Sequence, residues 1–170
     1  MATNLEFINK IEGDTVANLE LTNIFSSKYD HYKIQIYEEE VGNSDYNYFR
    51  IINASGTDTG SNYAYSSHLM YSHTTYAQVK STGTTTANYL GYLFPAGYDD
   101  GIGVTLDVYN PADTSSYTYF ISSSASFANG VAYYGVKGWH IHKVEEAITG
   151  LSIERTGNFN RVKAIIYGVG

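Results

Sequence analysis

His140 and His142 stand two residues apart in "GWHIHKVEEAITG" (138–150), with Glu145 and Glu146 close behind. On a strand, side chains at i and i+2 share a face. Both imidazoles could therefore reach one ion, and Glu146, four residues after His142, could add a carboxylate. The plainer reading is a strand with one polar face, Trp139 and Ile141 on the other side, and "KVEEA" as a polar turn. On that reading His140 and His142 face water or a neighbouring subunit, and their protonation near pH about 6.5 would modulate assembly.

The metal reading partly matches the cupin pattern, a His-x-His pair and a later glutamate inside a double-stranded barrel. It departs from it twice. The spacing from Glu146 to Gly150 is too short for the cupin glycine, and no histidine follows His142. His31, His68 and His73 lie upstream, in what read as loops or strand ends. No metal ligand, cofactor-binding residue or catalytic residue is assigned.

Other chemistry is thinner. There is no G-x-S-x-G elbow and no cysteine nucleophile. "SSSAS" (122–126) reads as a polar turn or outer strand. Asp99 and Asp100 would point to opposite faces of a strand; in a loop they could bind calcium, but a hairpin turn explains them as well. Glu38 to Glu40 read as a solvated strand end. Tyr63, Tyr65, Tyr71 and Tyr76 either stack on sugars or a partner, or simply pack a core. Asn53 opens the sequon "NAS", which matters only in a secretory pathway.

The chain has 170 residues, the size of one domain, with no cysteine and so no disulfide frame. Its net charge is -7, which argues against a nucleic-acid partner. No segment approaches the roughly 18 apolar residues of a membrane helix, and the start lacks the pattern of a signal peptide. Met1 suggests a complete small protein. With 18 Tyr and only 16% charged residues, the surface suits contact with other surfaces.

The elements that must position these residues are strands. "YKIQIY" (32–37) sets Tyr32, Ile34 and Ile36 on one face, and "VTLDVY" (104–109) sets Val104, Leu106 and Val108 inward. "YFRII" (48–52) reads as buried on both sides. "SYTYFIS" (116–122), "WHIHKV" (139–144), "ITGLSIE" (148–154) and "VKAIIYG" (162–168) are further strands. "EEEVGNSD" (38–45), "NASGTDTGSN" (53–62), "NPADTSS" (110–116) and "RTGNFN" (155–160) carry turn chemistry. "TYAQVK" (75–80) predicts one helical turn. The expectation is an all-β, single-domain β-sandwich of jelly-roll type over 1–170, with 1–20 as an extended arm or first strand.

The order of segments resembles virion structural proteins of tailed bacteriophages, especially phages of marine bacteria. The positions that carry the likeness are Phe25, Tyr29, Tyr32, Lys33 and Ile34; Ser55 and Gly56; and Asn110, Pro111, Asp113, Ser115, Tyr117 and Thr118. Ile148, Thr149, Gly150 and Ile153, then Gly157, Asn158 and Phe159, then Ile166, Tyr167 and Gly168 complete it. They look like folding signals: Asn110-Pro111 starts a turn, and Gly150 and Gly168 mark a bulge or close backbone contact. The resemblance implies a β-sandwich or jelly roll made in the host cytoplasm and exposed on the outside of the particle. It implies a non-enzymatic capsid decoration protein or head or tail accessory protein. Its partners would be other virion proteins and its own copies, as a homotrimer. The alternative is a receptor- or carbohydrate-binding module of a tail or fibre, taking a host-surface glycan. No nucleic acid or membrane partner is expected.

Overall fold

The period-2 alternation is realised throughout. In the computed structural model, residues 4–39, 47–72, 77–81, 90–94, 102–128 and 132–170 are described, and no helix occurs among them. Eleven strands follow one another: β1 (Leu5–Leu21), β2 (His31–Glu39), β3 (Asn47–Asn53), β4 (Gly56–Thr57), β5 (Tyr63–Tyr71), β6 (Ala77–Lys80), β7 (Leu90–Phe94), β8 (Ile102–Tyr109), β9 (Thr118–Ala128), β10 (Ala132–His142) and β11 (Gly150–Val169). All pair antiparallel in one sheet of order β4-β3-β11-β2-β8-β9-β10-β5-β6, with β1 on β11 and β7 on β3. The fold is all-β, as expected, and its curl is compatible with a jelly-roll-like β-sandwich.

Strand β11 is the spine. Its 20 residues pair along one side with β1 and along the other with β3 and then β2. Of the region 1–20, Leu5 onward is thus the first strand and not a free arm. The turn expected over 155–160 does not end the strand: β11 continues through it with a bulge against β1, and Arg155 and Phe159 are buried. The pairings that flank the segment, β3 up to Arg155, β2 from Arg161 and β1 at Phe159, carry the strand across it against the local turn preference.

The sheet curls until its halves meet. Phe49 of β3 lies edge-on to Phe120 of β9 at 5.4 Å and to His140 of β10 at 5.2 Å, although β11, β2 and β8 separate these strands in the sheet. Between the halves sits one core, including Tyr32, Ile34, Ile36, Val104, Leu106, Val108, Phe49 and Ile51. The inward sets expected for 32–37 and 104–109 are the ones found.

Several local expectations change. Residues 48–52 are not buried on both sides: Tyr48 and Arg50 are half-exposed, with Arg50 paired to Glu154 and stacked on Tyr48 at 5.0 Å. "SSSAS" is neither turn nor outer strand. It lies inside β9, between β8 and β10, with Ser122 and Ser124 buried. Residues 77–80 form β6 and not a helical turn. Glu38 is not solvated. It is fully buried, accepting hydrogen bonds from Arg155 Nη1 at 2.8 Å and Asn47 Nδ2 at 3.1 Å. The pairing cation removes the reason for a carboxylate to stay in water.

The residues behind the phage-protein likeness have structural work. Phe25 and Tyr29 both pack edge-on against Tyr32, at 4.9 and 5.7 Å. The Tyr32 hydroxyl donates to the Ser26 carbonyl and accepts from its N–H. Asn110 takes a left-handed φ of 57° and accepts a hydrogen bond from the Asp113 N–H, the turn expected there. Gly150 and Gly168 are close-contact positions: an added Cβ would overlap the Leu21 carbonyl oxygen or the Tyr29 ring.

Candidate functional site

Strand β10 lies between β9 and β5, so each of its residues from Tyr134 to His142 has a cross-strand neighbour on both sides. His140 and His142 share one face, as their spacing requires. That face is the inner one: His140 is 3% exposed and His142 is fully buried, while Trp139 remains 45% exposed. The expectation that the histidines face water or another subunit is therefore overturned. Alternation shows which residues share a face; it cannot show which face is inside when buried partners can satisfy an imidazole.

The two rings do not converge on one point. His140 Nε2 lies 2.8 Å from Ser122 Oγ, and its ring packs against Phe49 and Tyr65. Gly138 makes this possible, because a Cβ there would come within 2.6 Å of Nε2 and 2.7 Å of Oγ. Burial pushes the His140 pKa down to about 3, so the ring is neutral. Ser122 and His140 have the form of a nucleophile and its base. Both are buried, however, and present no surface to a substrate.

His142 meets different groups. Its Nε2 is 3.2 Å from Asp58 Oδ2 and 3.6 Å from Glu146 Oε1. Asp58 follows β4, His142 ends β10, and Glu146 lies in the connection to β11. Each carboxylate is oriented from behind. The Gly60 N–H donates to Asp58 Oδ1 at 2.7 Å, and Asn62 Nδ2 donates to Oδ2 at 3.1 Å. Asn53 Nδ2 donates to both Glu146 oxygens at 3.2 and 3.3 Å, so the sequon amide is engaged here. Desolvation pushes the Asp58 pKa up, but hydrogen bonds from Asn62, Gly60 and His142 outweigh it and hold the carboxyl below its ordinary value. Glu146 was legible from its spacing to His142. Asp58 was not, since 84 residues separate it from His142; its only local signal was the turn chemistry of 53–62.

The outer face of the same strands is apolar. One cross-strand row runs Tyr109, Tyr119, Ile141; the next runs Asp107, Ile121, Trp139. Tyr119 is 45% exposed, and Tyr109, Ile121 and Ile141 are half-exposed. His31 stacks on Tyr109 at 4.5 Å and lies 2.9 Å from Asp107 Oδ1. His68 meets Trp139 edge-on at 6.1 Å, with Lys137 Nζ 6.0 Å from the indole. Three strands at about 4.8 Å spacing make this a platform about 10 Å across, with His31 of β2 and His68 of β5 at its sides. Sequence reasoning left Tyr119 and Trp139 unassigned and looked instead to Tyr63–Tyr76. The two members whose side chains are described, Tyr63 and Tyr65, turn to the interior. Tyr63 is fully buried, donating from its hydroxyl to the Asp58 carbonyl at 2.7 Å, and Tyr65 packs on His140. The Tyr71 side chain, His73, Tyr76, Glu40, Asp99 and Asp100 lie outside the described residues.

No family model and no curated protein matches this chain. Among solved structures, it is similar to the marine PL-14 alginate lyase from Aplysia kurodai, at 8% identity and a TM-score of 0.36, over 95% of this chain and 81% of that one. It is also similar to the endo-β-1,4-glucuronan lyase from the fungus Trichoderma reesei, at 11% identity and a TM-score of 0.35, over 100% and 87% of the two chains. Similarity of this size bears on neither activity nor residues.

Proposed function

We propose that this chain is a non-enzymatic virion structural protein, a decoration or accessory module that docks on a neighbouring virion protein. The observation that carries the reading is the outer platform of Tyr109, Tyr119, Ile121, Trp139 and Ile141. An apolar patch spanning neighbouring strands, rimmed by Lys33, Asp107 and Lys137, has the anatomy of an interface: aromatic centre, charged rim. The likeness of the segment order to phage virion proteins supplies the kind of partner.

The test is a double substitution, Tyr119→Ser with Trp139→Ser. Both side chains are substantially exposed, so the variant should keep its melting temperature. Its binding to particles lacking the protein should fall by at least about tenfold, as loss of central aromatic anchors does. Unchanged binding by a folded variant would remove the proposal.

A second reading, a carbohydrate-binding module, draws on the same rings, because the exposed faces of Trp139 and Tyr119 suit an apolar sugar face. Specific binding on a glycan array, lost in the double variant, together with no binding to particles, would favour it.

A further inference from the structure

We propose that Asp58, His142 and Glu146 form a binding site for a divalent transition-metal ion of the zinc type. The three residues come from separate parts of the chain, yet their ligand atoms all lie within 4.8 Å of one another. The imidazole nitrogen stands 3.2 Å from one carboxylate oxygen and 3.6 Å from the other. A tetrahedral ion holding ligands at about 2.0–2.1 Å spaces them about 3.3 Å apart. The two separations from the imidazole nitrogen therefore already match those around an ion, and the two carboxylate oxygens lie within 4.8 Å of each other.

The surroundings are those of a built site. His142 is fully buried, which fixes Nε2 from the inside of the sheet. The Asp58 and Glu146 side chains, 12% and 31% exposed, form the outer rim and leave a side open to water. Outer partners that hold metal ligands in place are present for both carboxylates: Gly60 and Asn62 for Asp58, Asn53 for Glu146. A further clamp, the Lys143 N–H donating to the Asn62 carbonyl at 2.7 Å, fixes the 53–62 segment to the end of β10. An imidazole with two carboxylates suits zinc-type ions, whereas calcium takes six to eight oxygens. The ion would join the β3–β5 connection to the β10–β11 connection.

The experiment uses the full chain, untagged and stripped with a chelator, titrated calorimetrically with Zn2+ and separately with Ca2+. One Zn2+ should bind per chain, with a rise in melting temperature, and Ca2+ should bind much more weakly. Glu146→Gln should melt like the metal-free parent and lose Zn2+ affinity by about tenfold or more. Asn53→Ala leaves all three ligands in place, removing the hydrogen bonds to Glu146 and the one Asn53 Oδ1 accepts from the Ser55 N–H, and should weaken binding by about tenfold. It serves as the check should the first variant be unstable. Absence of a bound ion, or unchanged affinity in a folded variant of either kind, would overturn the proposal. The cluster would then be an ion pair built around the imidazole alone.

Discussion

His140 is the clearest case of a residue whose chemistry is set by burial. Its ordinary pKa of about 6.5 applies in the unfolded chain, while the folded value lies near 3. Below pH about 6.5 the unfolded chain therefore takes up a proton that the native ring refuses, and stability falls as pH drops towards 3. The slope is up to about 1.4 kcal/mol per pH unit from this group. Replacing it by Gln, which does not titrate, should flatten that part of the acid unfolding profile, measured by urea denaturation at a series of pH values. An unaltered slope would place the acid sensitivity elsewhere. Glu38 and Arg155 give a second prediction. Arg155→Ala leaves the Glu38 charge without its buried cation and should cost about 3–5 kcal/mol in chemical denaturation. Replacing both by apolar residues of similar volume should cost much less. The sequence disclosed the i,i+2 geometry of the histidines and the nearness of Glu146. It could not disclose Ser122, Asp58 or Arg155 as partners, because those meetings depend on how distant strands register.

Strands were legible wherever one face was apolar, as in β2 and β8, and less so where tertiary contacts override local preference. "RTGNFN" has the composition of a turn, yet β11 passes through it because β1 pairs beside it and Phe159 reaches the core. The turn composition survives as a bulge in β11 itself: between the Val16–Phe159 and Asn18–Glu154 pairs, residues 155–158 of β11 lie opposite residue 17 of β1, next to Thr15 at a φ of 56°. "SSSAS" shows the opposite case: it has a polar surface composition, yet Ser122 and Ser124 line an interior that also holds His140. Glycines allow a direct check of the packing of these elements. An added methyl at Gly150 would overlap the Leu21 carbonyl oxygen, which is backbone and cannot turn away. Gly150→Ala should therefore lower the melting temperature severely or prevent folding. Gly103→Ala, in β8, meets nothing within 4 Å and should be neutral or stabilising by about 0.4–1 kcal/mol. Thermal melts of the two variants that came out alike would contradict the pairing of β11 with β1.

For the whole molecule, the all-β class followed from many short alternating segments and the lack of a helical stripe. The curl did not, because it rests on non-local contacts such as Phe49 with Phe120 and His140. With the curl in place, one strand carries two roles. The inner side of "WHIH" is core and ligand cluster, and its outer side is the aromatic platform. That division is why the segment alone offers a His-x-His ligand pair, while in the fold its histidines face inward and Trp139 faces outward. The decisive measurement is electron microscopy of the intact particle, with and without this gene. The account predicts density for the chain on the particle exterior, lost on deletion, with Tyr119 and Trp139 against a neighbouring protein. A particle unchanged by deletion, or a bound chain whose β8–β10 outer face looks into solvent, would contradict it.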